Sequence, residues 1–478
     1  MMQPTENIIY NALPSGMRES MAKVLNGDID GFLNAAPEPE AVRINTLRAN
    51  VRQMTKRLRD WGVDVSPHPF NPTGLILQES EARYTHTLEY FGGKIHGQGV
   101  SSQIPVLALD PQPGERVLDM AASPGSKSTQ IAALMRNKGQ LLLCDPSPKR
   151  QQALLTNLAR AGILNDVYLQ MPGQRMGRLF HEYFDRVLLD APCSATSKLP
   201  GQQVRAQWVW TESAFQTLLN TQYQLLVSAI KAAKPGGVIV YSTCTLTIQE
   251  NEALLDRVLR EYPVQLDPVD WLNGASIHHG VESFNGKTFH PDMGLARRII
   301  PGERPMEAFF MARLIKMDSI PAKGWRRKIG LIRLKSAFDP EISPVLDYIS
   351  SRWDIPGNVF DRFRFHLTSK RLWICSPDWY YMPEEMFVKA GLALAVRRTN
   401  VWKLTSSGAQ LLGNLINDNV IELEEKELVN LFKNGRMNYD SHKNGYYALR
   451  FRNEIIGGVS VMAGVIKISL PHQFDLLL

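Results

Sequence analysis

At 478 residues, with 44% hydrophobic and 21% charged residues, the chain is too long for one core and has the balance of a globular protein of two to four domains. A formal charge of +7 only hints at a polyanionic partner. Cys144, Cys193, Cys244 and Cys375 are too few and scattered for a disulfide scaffold or a zinc site. With no signal-peptide pattern and no run of about 18 apolar residues, the expectation is a cytoplasmic monomer without membrane or metal.

Residues 1–90 mix short helical and strand patterns with Pro37, Pro39, Pro67, Pro69 and Pro72, and Val42-Arg-Ile-Asn-Thr-Leu-Arg alternates like a strand. They read as an N-terminal α+β region. Residues 91–316 alternate apolar runs with helical stretches. The runs are Arg116-Val-Leu-Asp, Gln140-Leu-Leu-Leu-Cys-Asp, Asp185-Arg-Val-Leu-Leu-Asp and Gly237-Val-Ile-Val-Tyr. Such a series predicts an α/β, doubly wound, largely parallel sheet covered on both faces. Runs near Val264 and Ala308 would complete it, with one late antiparallel strand. Pro321, Gly324 and a basic cluster mark a linker from Met317 to about Leu331. Residues 317–390 read as linker plus a small α+β module. Residues 391–478 read as a mostly-β module with a helix from Leu423 to about Phe432.

Within the central block, the strand ending in Asp119 breaks into Ala121-Ala-Ser-Pro-Gly-Ser-Lys127 and then an apolar helix. Small residues let backbone amides approach a ligand at a helix N-terminus. The next strand ends in Cys144-Asp145, where an acid suits ribose hydroxyls. The turn alone is as well explained by tight packing. The order strand, glycine turn, helix, strand, acid favours a nucleoside cofactor.

Two cysteines follow later strands. Cys193 lies in Leu188-Leu-Asp-Ala-Pro-Cys-Ser, and Cys244 in Tyr241-Ser-Thr-Cys-Thr. A thiol at a strand end before a helix is exposed and can be acidified. Singly, each is better read as a small core residue. That reading weakens when both accompany Asp190, Pro192 and Ser242.

Those segments, with Tyr241-Ser-Thr-Cys-Thr-Leu-Thr-Ile-Gln-Glu-Asn-Glu252, Val42-Arg-Ile-Asn-Thr-Leu-Arg48 and Gln98-Gly-Val-Ser-Ser, resemble the RNA (cytosine-5) methyltransferases of the Nop/Sun family. The closest likeness is to its bacterial small-subunit ribosomal RNA branch, whose C-terminal extension ends in a PUA-like β module. The resemblance implies a Rossmann-like S-adenosylmethionine-dependent methyltransferase domain between two RNA-binding parts. It implies Cys244 as nucleophile, Cys193 as the residue that releases product, and Asp190 and Lys127 beside them. The cofactor would lie on Ala121, Ala122, Ser123, Pro124, Gly125, Ser126, Lys127, Asp145, Arg150, Gly173 and Asp190. Three positions depart from the family pattern. Gly173 stands where an Asp contacts the adenine end, Ala195 replaces a flexible Gly, and Gly99 replaces a Glu. On the first, Gly173→Asp is expected to tighten cofactor binding.

Thiolate addition at carbon 6 would make cytosine carbon 5 nucleophilic. The acid at Asp190 would oppose thiolate formation at Cys193, leaving Cys244 the nucleophile. RNA is the expected partner. Candidate contacts are Arg297-Arg298, Lys323 to Lys328, Arg362 to Arg371, Arg397-Arg398 and Lys443, with Trp325, Phe363, Phe365 and Trp373 among them. Two alternatives stay open: an RNA-binding or assembly factor with weakened catalysis, and a transfer RNA methyltransferase.

Overall fold

The computed structural model describes residues 10–78, 83–200, 210–274, 276–301, 306–321, 330–399, 401–439, 443–470 and 476. The Lys323 to Lys328 cluster and most of the loop leading to Trp210 lie outside them.

A first helix, Ser15–Val24, buries Met17 and Met21 in the central core. A four-stranded antiparallel sheet follows in the order β2 (Val65–Pro67), β3 (Gly74–Leu77), β1 (Ala41–Ile44), β4 (Ile95–Gly97). β4 lies past the expected boundary at residue 90. The fully buried Arg43 ties this sheet to the central domain: its Nε donates to Gln98 Oε1 at 3.0 Å and its Nη2 to Thr129 Oγ1 at 2.8 Å. Two of the quoted sequence segments are thereby one contact.

The central sheet holds five parallel strands, β5 (Arg116–Asp119), β6 (Gln140–Cys144), β7 (Asp166–Leu169), β8 (Phe184–Asp190) and β9 (Ala233–Thr243), in the order β7-β6-β5-β8-β9. Its strands are apolar throughout because both faces are covered. In β6, Leu142 joins one core while Leu141 and Leu143 join the core on the opposite face. Reversal of strand order between β5 and β8 opens a crevice at their carboxyl ends, where doubly wound sheets bind ligands.

The expectation of one antiparallel strand falls short. β10 (Val264–Asp267) pairs with β15 (Phe309–Lys316), which also joins β9 to β14 (Arg297–Ile299), and β14 carries β11 (Ile277–His279). A small hairpin, β12 (Ser283–Phe284) and β13 (Lys287–Thr288), lies between.

The C-terminal region forms three further sheets among the described residues. β16 (Leu331–Arg333) pairs with β19 (Tyr381–Pro383). β17 (Arg364–Leu367), β18 (Arg371–Cys375), β21 (Leu392–Arg398) and β22 (Val401–Leu404) form an antiparallel sheet over the helix Ser343–Trp353. β23 (Val420–Glu422), β24 (Arg436–Asn438), β25 (Gly445–Phe451), β26 (Glu454–Met462) and β27 (Val465–Ile468) pack with the helix Glu425–Asn434. This last sheet rests on the N-terminal region: Phe91 meets Phe432 edge to face at 5.2 Å, and Lys94 pairs with Glu454 at 2.6 Å.

One strand from the expected 317–390 module belongs to the central sheet. β20 (Phe387–Ala390) pairs antiparallel with β7 and becomes the edge of the central sheet. Its Lys389 ion-pairs with the fully buried Asp166. Lys389→Met would leave that carboxylate without its counterion and should cost about 3–5 kcal/mol in urea unfolding. Asp166→Leu in the same background should recover part of the loss. An unchanged midpoint for the single variant would show that the pair does not anchor β20.

Among the described residues no helix is long and apolar enough to cross a membrane, and no group of three or more His, Cys, Asp or Glu side chains is placed to hold a metal.

Candidate active site

The parallel register brings the chemistry-bearing ends together. Asp119 pairs with Leu143 and Leu188, and Asp190 pairs with Ser242, so the turns after β5, β6, β8 and β9 share the carboxyl edge.

The first turn is built for close approach. Gly125 has φ +102°, and a Cβ there would lie 2.9 Å from Leu154 Cδ1. The helix Ser126–Leu134 starts immediately after. Asp145 is fully buried and accepts hydrogen bonds from the Ser123 amide at 3.3 Å and the Ser147 amide at 2.9 Å, while Arg150 pairs with it at 3.1 Å. Ser123 Oγ is buried with no hydrogen-bond partner. An orphaned hydroxyl beside a buried acceptor fits a polar ligand that completes both.

Gly173 follows β7 in a buried 3-10 turn, its carbonyl accepting from Ser228 Oγ at 2.8 Å. A Cβ there would lie 2.9 Å from Leu225 Cδ2 and 3.1 Å from Met120 O. Gly173→Asp would need Leu225 to move and Met120 O to give by a few tenths of an ångström, so a stability cost is to be set beside the expected gain in cofactor binding.

Asp190 links the two halves. Its Oδ2 accepts from Lys127 Nζ at 2.7 Å and its Oδ1 from Ser242 Oγ at 2.7 Å. Lys127 also donates to Ser102 Oγ at 3.0 Å. Burial works to lower its ammonium, but Asp190, then Cys244 and Asp119, outweigh that and push it up. Lys127 is therefore a cation within electrostatic reach of the Cys244 thiol.

Cys193 and Cys244 meet, their sulfurs 3.3 Å apart. The hydrogen bond to Cys244 pushes the Cys193 thiol well above the usual thiol range, and burial and the charges of Cys244 and Glu250 add to it. The expected direction holds at Cys193, but the carboxylate responsible is Glu250 and not Asp190, which is turned toward Lys127. Ala195 occupies a left-handed conformation at φ +52°, where a glycine would be unstrained.

Glu250 was visible in the sequence but carried no assigned role. It is fully buried, has no cationic partner among the described residues, and accepts five hydrogen bonds. These come from the Ser194 amide (2.9 Å), Ser194 Oγ (2.5 Å), Gln222 Nε2 (2.8 Å), Thr245 Oγ1 (3.2 Å) and Thr247 Oγ1 (2.6 Å). One carboxylate thus ties the residue after Cys193 to the residue after Cys244. Ser20 of the first helix also escaped notice; its hydroxyl accepts from the Ile248 amide. Arg297 and Arg298 belong to this framework and not to an RNA surface. Arg298 is buried, ion-pairs with Glu252 and donates to Leu246 O at 3.1 Å, while Arg297 donates to the carbonyls of Gly294 and Leu295.

Beneath the turn, the fully buried Asp119 accepts from Ser128 Oγ at 2.7 Å. Burial, with a smaller push from Asp190, raises its carboxyl to about 6 against the Ser128 and Ala121 hydrogen bonds and Lys127. A carboxyl raised by folding holds its proton more tightly in the fold. Its contribution is fully present below about pH 4 and is lost as pH rises through about 6, a change of about 3 kcal/mol. Asp119→Asn should flatten that part of the stability profile in thermal unfolding across pH 4–8. Parallel profiles would show that Asp119 does not titrate there.

Among known proteins, a family model described as 16S rRNA methyltransferase RsmB/F matches residues 106–315. The 25S rRNA (cytosine-C(5))-methyltransferase nop2 of Schizosaccharomyces pombe is 38% identical over 296 residues, which is 60% of this chain and 48% of that protein. The chain spans less than half the length of this and the other eukaryotic relatives it matches. Ribosomal RNA small subunit methyltransferase F of Vibrio parahaemolyticus is 30% identical over 428 residues, covering 87% of this chain and 86% of that one. The crystal structure of a methyltransferase homologue from Pyrococcus horikoshii aligns with TM-score 0.54 at 30% identity, over 66% of this chain and all of the other. With this breadth of match over the domain that carries the paired cysteines, the chain belongs to the RsmB/F family of rRNA methyltransferases.

Proposed function

We propose that this chain methylates carbon 5 of a specific cytosine in small-subunit ribosomal RNA through a covalent cysteine–cytosine adduct. The observation that carries the reading is the pairing of Cys193 and Cys244 at 3.3 Å beside the Lys127–Asp190 ion pair. A factor that only bound RNA would need neither thiol at the sheet's carboxyl edge.

S-adenosylmethionine, held by the Ala121 to Lys127 turn, Ser123, Asp145 and Arg150 with Gly173 behind, would supply a methyl group on a positively charged sulfur. Cys244 adds as thiolate to carbon 6, and the carbon 5–carbon 6 electron pair becomes available at carbon 5. Lys127 lies within electrostatic reach of the Cys244 sulfur. Asp190 faces the ring nitrogen and the amine of the base, held by Lys127 and Ser242. After methylation water takes the carbon 5 proton, the C–H electron pair re-forms the carbon 5–carbon 6 double bond, and the sulfur–carbon 6 bond breaks with its pair returning to Cys244, whose departing sulfur accepts a hydrogen bond from the protonated Cys193. The target base has to leave its stack to reach this edge. The N-terminal sheet and a PUA-like C-terminal part would hold the surrounding RNA.

The reading is tested by incubating the protein with labelled S-adenosylmethionine and deproteinised total RNA, then separating the RNA species and digesting each to nucleosides. Label in 5-methylcytidine from the small-subunit RNA is the expected result. Label only in transfer RNA, or none in any RNA, would reject it.

A further inference from the structure

Two guanidinium groups line one cleft with no acid paired to them among the described residues. The cleft, of about 660 Å³, lies where the N-terminal region (Arg48, Arg57, Lys94), the central domain (Arg136, Gly162) and the C-terminal sheet (Arg452) meet. Three of its cations are answered: Arg57 by Glu89 at 3.1 Å, Lys94 by Glu454 at 2.6 Å and Arg452 by Glu425 at 2.8 Å. Arg48 and Arg136 have no ion-pair partner among the described residues.

Arg48 is the more telling of the two. Its Nε is buried without a hydrogen-bond partner, and burial pulls its guanidinium down to about 10. The group packs so closely on Gly162 that a Cβ there would lie 2.5 Å from Nη2. Asn137, next to Arg136, donates to the Gly162 carbonyl at 3.0 Å, so the two arginines flank one short segment. A second cavity, of about 430 Å³, reaches from Arg48 to Asn50, the cap of the ten-residue helix Val51–Asp60. The first amides of that helix add positive potential. An uncompensated, half-buried guanidinium costs stability unless an anion completes it.

We propose that this cleft holds phosphates of the RNA backbone, with Arg48 and Arg136 as its two guanidinium ligands. The proposal rests on the RNA reading above and adds a second contact to it. Planar guanidinium forks match phosphate oxygens in pairs, as lysines do not. Arg136 follows the helix Ser126–Leu134 and Gly162 follows the helix Pro148–Ala161, so both lie at the amino edge of the sheet, opposite Cys244. A phosphate contact there positions the RNA without reading bases.

The test measures binding of deproteinised ribosomal RNA by the full-length protein across a KCl titration, for Arg136→Ala, Arg48→Gln and the double variant. Lys56→Ala serves as control; Lys56 is exposed on the same region and outside the cleft. The double variant should bind about tenfold more weakly, and its salt slope should fall by roughly 1 to 2. Lys56→Ala should stay within about twofold of the wild type. An unaltered dissociation constant for S-adenosylmethionine confirms folding of each variant, and the exposed Arg136→Ala carries the test if Arg48→Gln does not fold. A folded variant with wild-type affinity and slope overturns the phosphate proposal alone. Wild-type protein that binds no ribosomal RNA overturns the RNA reading, and this proposal with it.

Discussion

Cys244→Ala should lose methyl transfer by about ten-thousandfold or more and form no covalent complex with RNA, since the remaining thiol, Cys193, serves release and not addition in the proposed mechanism. Cys193→Ala should behave differently. It leaves the nucleophile in place and removes the protonated thiol 3.3 Å away that supports its departure. Turnover should fall, and protein should remain attached to methylated RNA through denaturation. The surroundings of the two thiols fit these roles: the Glu250 carboxylate lies on the Cys193 side, while Lys127 lies within electrostatic reach of Cys244. Denaturing gels of both variants with labelled RNA separate the roles. Trapping by Cys244→Ala with turnover retained would exchange them.

The second large effect is expected at Glu250, which contacts neither base nor cofactor in this account. Its five donors come from both cysteine turns and from Gln222 of the helix Glu212–Ala232. Glu250→Ala strands those donors in a buried site and should cost about 3–5 kcal/mol. Glu250→Gln keeps the shape but turns an amide toward groups that donate, and should cost about 1–3 kcal/mol. Because the Gln variant still folds, it separates structure from positioning. Its affinity for S-adenosylmethionine should be retained while methyl transfer falls, and the Cys193→Ala background should show less trapped RNA. Full trapping and turnover in Glu250→Gln would mean that the cysteine turns hold their geometry without the carboxylate.

The parts of this molecule that were legible in sequence are those set by local pattern. Near-continuous apolar runs announced β5, β6, β8 and β9, and the small-residue turn announced the ligand edge between them. Parallel register then carried Asp119, Asp145, Asp190 and Cys244 to one side without further information. What stayed hidden depends on contacts distant in sequence. β20 reads like any short strand of the C-terminal region; only its pairing with β7 and the Lys389–Asp166 bond make it part of the central sheet. Arg298 looks like a surface cation until Glu252 is placed against it. Glu250 stood in a quoted motif, yet its role requires Ser194 and Gln222 to arrive from elsewhere. At Gly173 the sequence shows a missing side chain, and only the fold shows that Met120 and Leu225 crowd the space a side chain would take.

In the proposed mechanism Cys244 forms the bond to the base. RNA substituted with 5-fluorocytidine cannot complete elimination, so the attached residue can be identified by digestion and mass spectrometry of the cross-linked peptide. The nucleotide is expected on the peptide containing Cys244, in wild type and in Cys193→Ala alike. A nucleotide carried on the Cys193 peptide, or no cross-link from protein that methylates ordinary RNA, would contradict it.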